Sequence, residues 1–331
     1  MMIEIHAPAG QTLTPLGFVH GKRGSFVPRD NRRMHLIAID WGTSSLRGAR
    51  LDGKGRVLEE REYPRGILTV PPGGFPAVFE ELFGDWMRPA GSFCLISGMA
   101  GSKQGWVDAP YCPCPSGRVE VGSAIVEIEP GRIAIVPGLS DVHDGVPDVM
   151  RGEEVQIFGA MALTGLADGV FVLPGTHNKW ATVKRGRVTS FRTFMTGEFY
   201  ALLSRHSILA RTLDAAAPLD EVSFLEGVTQ ADNGQGLLHN AFGARTLALF
   251  ERMTAGDLAS YLSGLLIGEE LRTQSIHAAG DLVLIGTPAL TQRYLLALQA
   301  SGNTVRTLGA EATWAGLHTL SAFLNANRTR P

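Results

Sequence analysis

Two stretches of the chain, 133 positions apart, open in the same way. In the first, the apolar run Leu36-Ile-Ala-Ile39 ends at Asp40 and passes through Trp41-Gly42-Thr43-Ser44-Ser45 into Leu46–Leu51. In the second, Val170-Phe-Val-Leu173 passes through Pro174-Gly175-Thr176-His177 towards Trp180–Lys184. Gly42-Thr43 falls on Gly175-Thr176, and the next turn glycine, Gly53, falls on Gly186 at the same offset. A short apolar run bounded by turn residues reads as a buried strand. Each half is therefore predicted to open as strand, Gly-Thr turn, strand, glycine turn, strand. A single Gly-Thr pair recurs easily by chance, but the matched apolar runs and the second matched turn favour a duplicated β-meander. The 331 residues leave room for two such domains at about 150 residues each. They are expected over 34–150 and 151–331.

Between the strands the apolar spacing turns helical. Phe75–Trp86 and Arg151–Thr164 read as helices, and the chain is mostly helical from about residue 197. Leu258, Tyr261, Leu262, Leu265 and Leu266 predict an amphipathic helix. The Pro- and Gly-rich segment 106–123 reads as a long loop or a few short strands. Alternating strands and helices make the fold class α/β. Residues 1–33 stand apart: they carry a net charge of +3, against −2 for the whole chain, and follow neither period. They also hold no apolar run long enough for a signal peptide, so a disordered extension is expected there.

Several function classes drop out at this point. A net charge of −2 argues against a nucleic-acid partner, though a small anionic substrate needs only a local positive pocket. No apolar run approaches the ~18 residues of a membrane span, so no membrane partner is expected. Three cysteines, Cys94, Cys112 and Cys114, make no disulfide framework, and Cys112-Pro-Cys114 lacks the second ligand pair of a zinc site. A reduced, cytoplasmic protein is expected.

A turn between antiparallel strands can aim successive backbone N–H groups at an anion. Gly42, Thr43 and Ser44 in one turn and Gly175 and Thr176 in the other would clamp a triphosphate across an interdomain cleft. Asp40 suits a hydrated Mg²⁺, which is usually held through one or two carboxylates. Leu173 stands at the matching position of the second half, so only one half supplies that group. Arg47 and Lys179 are placed to neutralise phosphate charge. His177, inside the second turn, is read as bracing the turn in preference to touching phosphate. The strand-to-helix turn Ile285-Gly286-Thr287-Pro288 would let a base and ribose lie against the backbone. Taken singly, each turn is an ordinary glycine hairpin; the duplication gives them weight.

Asp40-Trp-Gly-Thr-Ser-Ser-Leu-Arg47 resembles the first phosphate motif of the actin, heat-shock ATPase and sugar kinase superfamily. Pro174–Trp180 and Gly286 stand where that superfamily has its second phosphate motif and its adenosine motif. Three segments resemble one member, the 2-dehydro-3-deoxygalactonokinase family. They are Ser97-Gly-Met-Ala-Gly-Ser-Lys-Gln-Gly-Trp106 with Ala109–Pro115, Asp148-Val-Met-Arg-Gly-Glu-Glu-Val-Gln-Ile-Phe-Gly159, and Leu173–Trp180. Thr196-Gly197-Glu198-Phe-Tyr-Ala-Leu-Leu203 is also similar to that family. The resemblance runs from residue 34 to the end.

The resemblance implies a two-domain, actin-like ATPase (ribonuclease H-like) fold of duplicated β-meander-plus-helices domains with a site in the cleft. It implies a cytoplasmic kinase that uses ATP and Mg²⁺ to phosphorylate 2-dehydro-3-deoxy-D-galactonate at its 6-hydroxyl in galactonate and galactose catabolism. A carboxylate base is expected where the first domain hands over to a helix of the second, with Asp148 and Glu153 both candidates just before or inside that helix. The substrate is a 2-keto acid, so Arg151 is expected at its carboxylate. Ser102, Lys103, Gln104 and Tyr111 are expected at its hydroxyls. Trp106 reads equally as a platform for the carbon chain or as a core aromatic. The alternatives are a kinase for another sugar acid, an exopolyphosphatase-type hydrolase of the same fold, or a nucleotide-binding assembly protein. No motif encodes oligomeric state; a homodimer is compatible with the reading.

Overall fold

The computed structural model describes residues 35–274 and 280–328; the extension expected at 1–33 lies outside them. The chain begins with strands β1 (His35–Trp41), β2 (Leu46–Leu51) and β3 (Val57–Tyr63), then helix α1 (Phe75–Met87) and strand β4 (Ser92–Gly98). Short pieces follow: β5 (Tyr111–Pro113), β6 (Ser116–Gly117), α2 (Arg118–Ser123), β7 (Val126–Glu129) and β8 (Ile133–Ile135). A hairpin of β9 (Gly138–His143) and β10 (Val146–Met150) leads into α3 (Glu153–Thr164). The pattern then restarts with β11 (Gly169–Leu173), β12 (Asn178–Lys184) and β13 (Arg187–Phe194). Helices α4 (Thr196–His206), α5 (Glu221–Gln230), α6 (Leu237–Leu249) and α7 (Ala255–Arg272) come next. The last elements are β14 (Leu282–Ile285), α8 (Pro288–Ala300), β15 (Val305–Leu308) and α9 (Glu311–Arg328).

The two meanders build two six-stranded sheets, ordered β3-β2-β1-β4-β8-β7 and β15-β14-β11-β12-β13-β6. Each first strand pairs antiparallel with the next and parallel with a later one: β1 with β2 and β4, β11 with β12 and β14. Central strands covered on both faces need apolar residues at every position. In β1, Leu36 and Ala38 join one core cluster while Ile37 and Ile39 join another, which is the period-2 alternation of a strand. Each of the larger of these side chains contributes about 1.5–3 kcal/mol when fully buried.

The first of those clusters is shared by both sheets, with α3 and α9 packed in it. These helices touch at backbone distance, because a side chain on Gly159 would overlap the Ala312 carbonyl and one on Gly316 that of Val155. The last helix also reaches back to the first sheet, where the Trp314 indole N–H donates to Glu60 of β3.

Three sequence expectations need correction. Segment 106–123 ends in a helix, α2, where only loop or strands were expected; Glu120 closes its first turn by accepting from the Gly117 N–H. Helix α7 is not amphipathic but buried almost all round, because α4, α5, α6 and α8 all pack on it. Asp148 stands not in the first turn of α3 but within strand β10, five positions before Glu153 and opposite Asp141 of β9. Among the described residues no helix is long and apolar enough to cross a membrane.

Candidate active site

The first Gly-Thr turn joins β1 to β2, and Gly42 N–H closes it on the Ser45 carbonyl at 2.9 Å. Thr43 and Ser44 are exposed. Behind the turn lies Gly66, where a methyl group would overlap Thr43 and Ser44 backbone, and the Ile67 N–H donates to the Gly42 carbonyl at 3.0 Å. Cross-strand register sets Arg47 opposite Asp40, and the guanidinium meets that carboxylate at 2.5 Å.

The second turn is built on the same plan. Gly175 N–H donates to Asn178 Oδ1 at 2.7 Å, and the Glu198 N–H donates to the Thr176 carbonyl at 3.0 Å. Gly197 presses on it as Gly66 does on the first, leaving no room for a methyl group against the Gly175 carbonyl. His177 contacts Glu198 of α4 through Nε2 at 2.5 Å. On their open sides Gly42 and Gly175 have space: the nearest atoms to an added methyl are 3.4 and 3.9 Å away. Gly286 lies beside this turn, 3.6 Å from the Pro174 carbonyl by the same measure. A cavity of about 80 Å³ runs past Gly175, Asn178, Gly197, Tyr200, Leu290 and Tyr294.

The start of α3 reaches the first turn through two glycines with positive φ. Gly98 (φ 87°) sits where a side chain would come 2.8 Å from the Trp41 carbonyl and 3.2 Å from Asp40 Oδ1. A methyl group added to Gly152 (φ 105°) would lie 3.3 Å from the Gly98 Cα. Glu153 follows directly, with Oε2 accepting from the Arg151 N–H at 3.0 Å. Burial raises its carboxyl above the ordinary glutamate value; the ammonium of Lys179 opposes the rise and the charge of Asp40 adds to it. Residues flanking both turns therefore act electrostatically on one carboxylate.

Asp148 is committed elsewhere. Its Oδ1 accepts from the Val149 N–H at 2.7 Å and the Thr193 hydroxyl at 2.6 Å, and its Oδ2 from the Thr193 N–H at 2.8 Å. Lys179 joins the same group, donating to the Val149 carbonyl and Thr193 Oγ1, both at 2.7 Å.

Arg151 is buried. It donates to the Ala109 carbonyl at 2.7 Å and lies over the Tyr111 ring at 4.3 Å. Its Nε and Nη1, with Ser102 Oγ and Glu154 Oε1, are buried atoms without a hydrogen-bond partner among the described residues. Each such group costs about 1–3 kcal/mol while unpaired. Lys103 and Gln104 are exposed on the loop beside them. Trp106 is half-buried, packed against Trp41, Phe75 and Phe79.

Glu154 escaped the sequence reading as a site residue. It is fully buried, and its Oε2 accepts from the Gly152 N–H at 2.7 Å. Burial, then the charge of Glu153, push its carboxyl up to about 8 from an ordinary 4.5. Folding thus takes up a proton here, so the stability this group contributes is full below about pH 4.5 and lost as pH rises towards 8. Glutamine mimics the protonated acid and keeps the bond to Gly152. The Glu154→Gln variant is expected to gain in Tm over the parent as pH rises from about 5 to 8, with the gap constant above. Thermal melts with a pH-independent gap would contradict a protonated Glu154.

Asn178, Gly66 and Gly197, which shape or press on the two turns, were also not singled out. The signal for Asn178 and Gly197 was present, since both fall inside family-like segments; nothing local marks Gly66.

A family model described as 2-keto-3-deoxy-galactonokinase matches residues 40–320. The chain is similar to a 2-dehydro-3-deoxygalactonokinase of Escherichia coli (strain K12), 33% identical over 291 residues that span 86% of this chain and 97% of the relative. It is also similar to the Rhizobium meliloti (strain 1021) protein named "Probable 2-dehydro-3-deoxygalactonokinase DgoK1", 36% identical over 293 residues, 86% of this chain and 95% of the relative. A crystal structure from Sinorhizobium meliloti, described under the same enzyme name, superposes with a TM-score of 0.81 at 34% identity, covering 88% of this chain and 99% of that one.

Proposed function

We propose, from the premise that the chain belongs to the 2-keto-3-deoxy-galactonokinase family of ATP-dependent kinases in galactonate breakdown, that Glu153 is the base that takes the proton of the sugar acid's 6-hydroxyl. The fold is the two-domain α/β architecture related to the sugar kinases. The observation that carries the proposal is the approach of the start of α3 to the first turn, where the positions of Gly152 and Gly98 leave no more than a methyl group's room between α3 and Asp40, with the charges of Asp40 and Lys179 both reaching the Glu153 carboxyl.

Phosphoryl transfer asks a protein mainly for positioning and charge stabilisation. The open faces of Gly42–Ser44 and Gly175–Thr176 offer N–H and hydroxyl donors to the phosphates, and Arg47 and Lys179 offer positive charge. Gly286 and Thr287 flank the nucleoside side. Asp40 would hold Mg²⁺ through water. A single carboxylate suffices for that ion, and the missing side chain of Gly98 leaves a cradle beside Asp40 Oδ1. When bound, the ion would neutralise charge on the transferred phosphate. Glu153, with its raised proton affinity, accepts the hydroxyl proton as the oxygen attacks the phosphorus.

At the other end of the substrate, the unpartnered donors of Arg151 and Ser102 give the keto-acid carboxylate and a hydroxyl their partners. Tyr111 holds the guanidinium plane from behind. Lys103 and Gln104 remain candidates for the outer hydroxyls. Asp148 is assigned to bracing β13, and Trp106 to the core. Five strands follow a common order in the two sheets, β3-β2-β1-β4-β8 and β13-β12-β11-β14-β15, which supports reading them as duplicated ribonuclease H-like domains, about 34–150 and 151–331, whose cleft closes on substrate and excludes water.

Arg151→Lys keeps the charge but loses the planar fork. It is expected to raise the KM for the sugar acid by roughly 10–100-fold, the scale of charged hydrogen bonds, with the KM for ATP unchanged. Equal loss on both substrates in steady-state kinetics would remove Arg151 from the sugar end. The overall reading is tested by following ADP release from Mg-ATP with 2-dehydro-3-deoxy-D-galactonate, with the gluconate epimer, and with no sugar. Release with the galactonate derivative alone supports the kinase and its stereochemical choice. Equal rates with both epimers would make it promiscuous, and phosphate release without sugar would favour a hydrolase.

A further inference from the structure

Asn178 closes the second turn by accepting from the Gly175 N–H, but its own position is set from the far side. Its Nδ2 donates to Glu270 Oε2 at 2.7 Å. Glu270 belongs to α7 and is only 3% exposed. Its Oε1 accepts from the Trp180 indole N–H at 2.5 Å. Its Oε2 also accepts from the Tyr294 hydroxyl at 2.7 Å and from the Thr196 hydroxyl. One buried carboxylate thus gathers four neutral donors from β12, the first residue of α4, and α8.

These are the segments that frame the nucleotide side of the site. Asn178 ends the Gly175-Thr176 turn. Thr196 precedes Gly197, which presses on that turn. Tyr294 lies in α8, which starts directly after Gly286-Thr287. We propose that Glu270 is a positioning residue for ATP, acting through Asn178, Thr196 and Tyr294 to hold the second phosphate turn and the Gly286-Thr287 turn at a fixed spacing. The proposal rests on reading those two turns as the ATP site.

The chemistry requires a carboxylate in particular. Burial pushes the Glu270 carboxyl up, and the hydrogen bonds from Thr196, Trp180, Tyr294 and Asn178 pull it back by favouring the ionised form; that form only accepts, and its two oxygens offer enough lone pairs for four donors. Glutamine is the same shape, but its NH₂ must point to one side or the other. On one side it meets Asn178 Nδ2; on the other it meets Trp180 Nε1, which is a donor only. Either way one N–H faces another, and the turn must shift.

The test is steady-state kinetics of Glu270→Gln on the full chain. The KM for ATP is expected to rise about tenfold, the scale seen when a group orienting a binding residue is lost, with the KM for the sugar acid within about twofold. Tyr294→Phe and Thr196→Val each remove one donor and keep the carboxylate, and both are expected to raise the KM for ATP by less, about threefold. They carry the test if Glu270→Gln does not fold. Proportional rises in both KM values would mean general loosening and would overturn the proposal, as would an unchanged KM for ATP in the folded variants. Gly175→Ala, where the fold has space for a methyl group, separates the premise from the proposal. If it leaves the KM for ATP unchanged, the second turn is not in the ATP site, and the role assigned to Glu270 falls with it. If it raises that KM while Glu270→Gln does not, the turn binds ATP and Glu270 alone is misassigned.

Discussion

Replacing Glu153 by glutamine is expected to lower kcat by roughly 10²–10⁴-fold, the usual contribution of a general base, with both KM values changed by no more than about twofold. Glutamine keeps the volume and can still accept from the Arg151 N–H, so α3 should start as before. What it cannot do is take a proton. The pH profile gives a second check. Burial and the Asp40 charge raise the carboxyl of Glu153 while Lys179 opposes, and the net direction is upward. The base works only when deprotonated, so kcat/KM should climb with pH and level off above the ordinary glutamate range. Lys179→Met removes the opposing charge and should move that limb to still higher pH. Asp148→Asn is the control. It disturbs the bonds to Thr193 and should cost about 1–3 kcal/mol of stability, read as a lower Tm, while kcat stays within a few-fold. Loss of kcat in Asp148→Asn with activity kept in Glu153→Gln would reverse the assignment.

Gly197→Ala is expected to cut kcat/KM for ATP by about 10²-fold, the effect of a displacement near 1 Å in a positioned site. The residue touches no substrate in the proposed mechanism. It lies behind the second turn, where a methyl group would overlap the Gly175 carbonyl and crowd the Thr176 Cα. These are backbone atoms, which cannot swing aside as a side chain can. Either the turn moves or α4 retreats, and the Glu198 N–H bond to Thr176 is lost in both cases. Overpacking of this kind also costs about 1–3 kcal/mol, so Tm should fall together with activity. Gly175→Ala offers the contrast: its open side should leave Tm nearly unchanged while an added methyl enters the space the proposed mechanism gives to phosphate. Kinetics and thermal melts of the pair would show whether the turn is sensitive to support from behind, to space in front, or to both. A Gly197→Ala enzyme with unchanged kinetics would remove the supporting role.

The residues that bear on these two predictions were legible to different degrees. The strands, both Gly-Thr turns and their duplication were readable from sequence alone. Apolar runs of period two and glycines at turns are local signals, carried within a few residues. The same locality brought out Asp40, Arg47, Lys179 and Glu153, each beside a turn or at a helix start. It failed where the deciding partner is distant along the chain. Asp148 and Glu153 looked equivalent until β10 set Asp148 against Thr193, 45 positions on, and filled both its oxygens. Trp106 had two equal readings, and only the fold sets it, half-buried, against Trp41, Phe75 and Phe79. Glu270 reads as one more polar residue on a helix, and only the packing of α7 beneath β12, α4 and α8 brings it within 2.7 Å of Asn178, 92 positions earlier. Backbone hydrogen bonding and side-chain periodicity act between near neighbours, so the sequence by itself determines which elements form and where they turn. Which hydrogen-bond partners each carboxylate finds, Thr193 for Asp148 and Asn178, Thr196, Trp180 and Tyr294 for Glu270, depends on donors that arrive only when the chain folds back on itself, and that was decided by the tertiary structure.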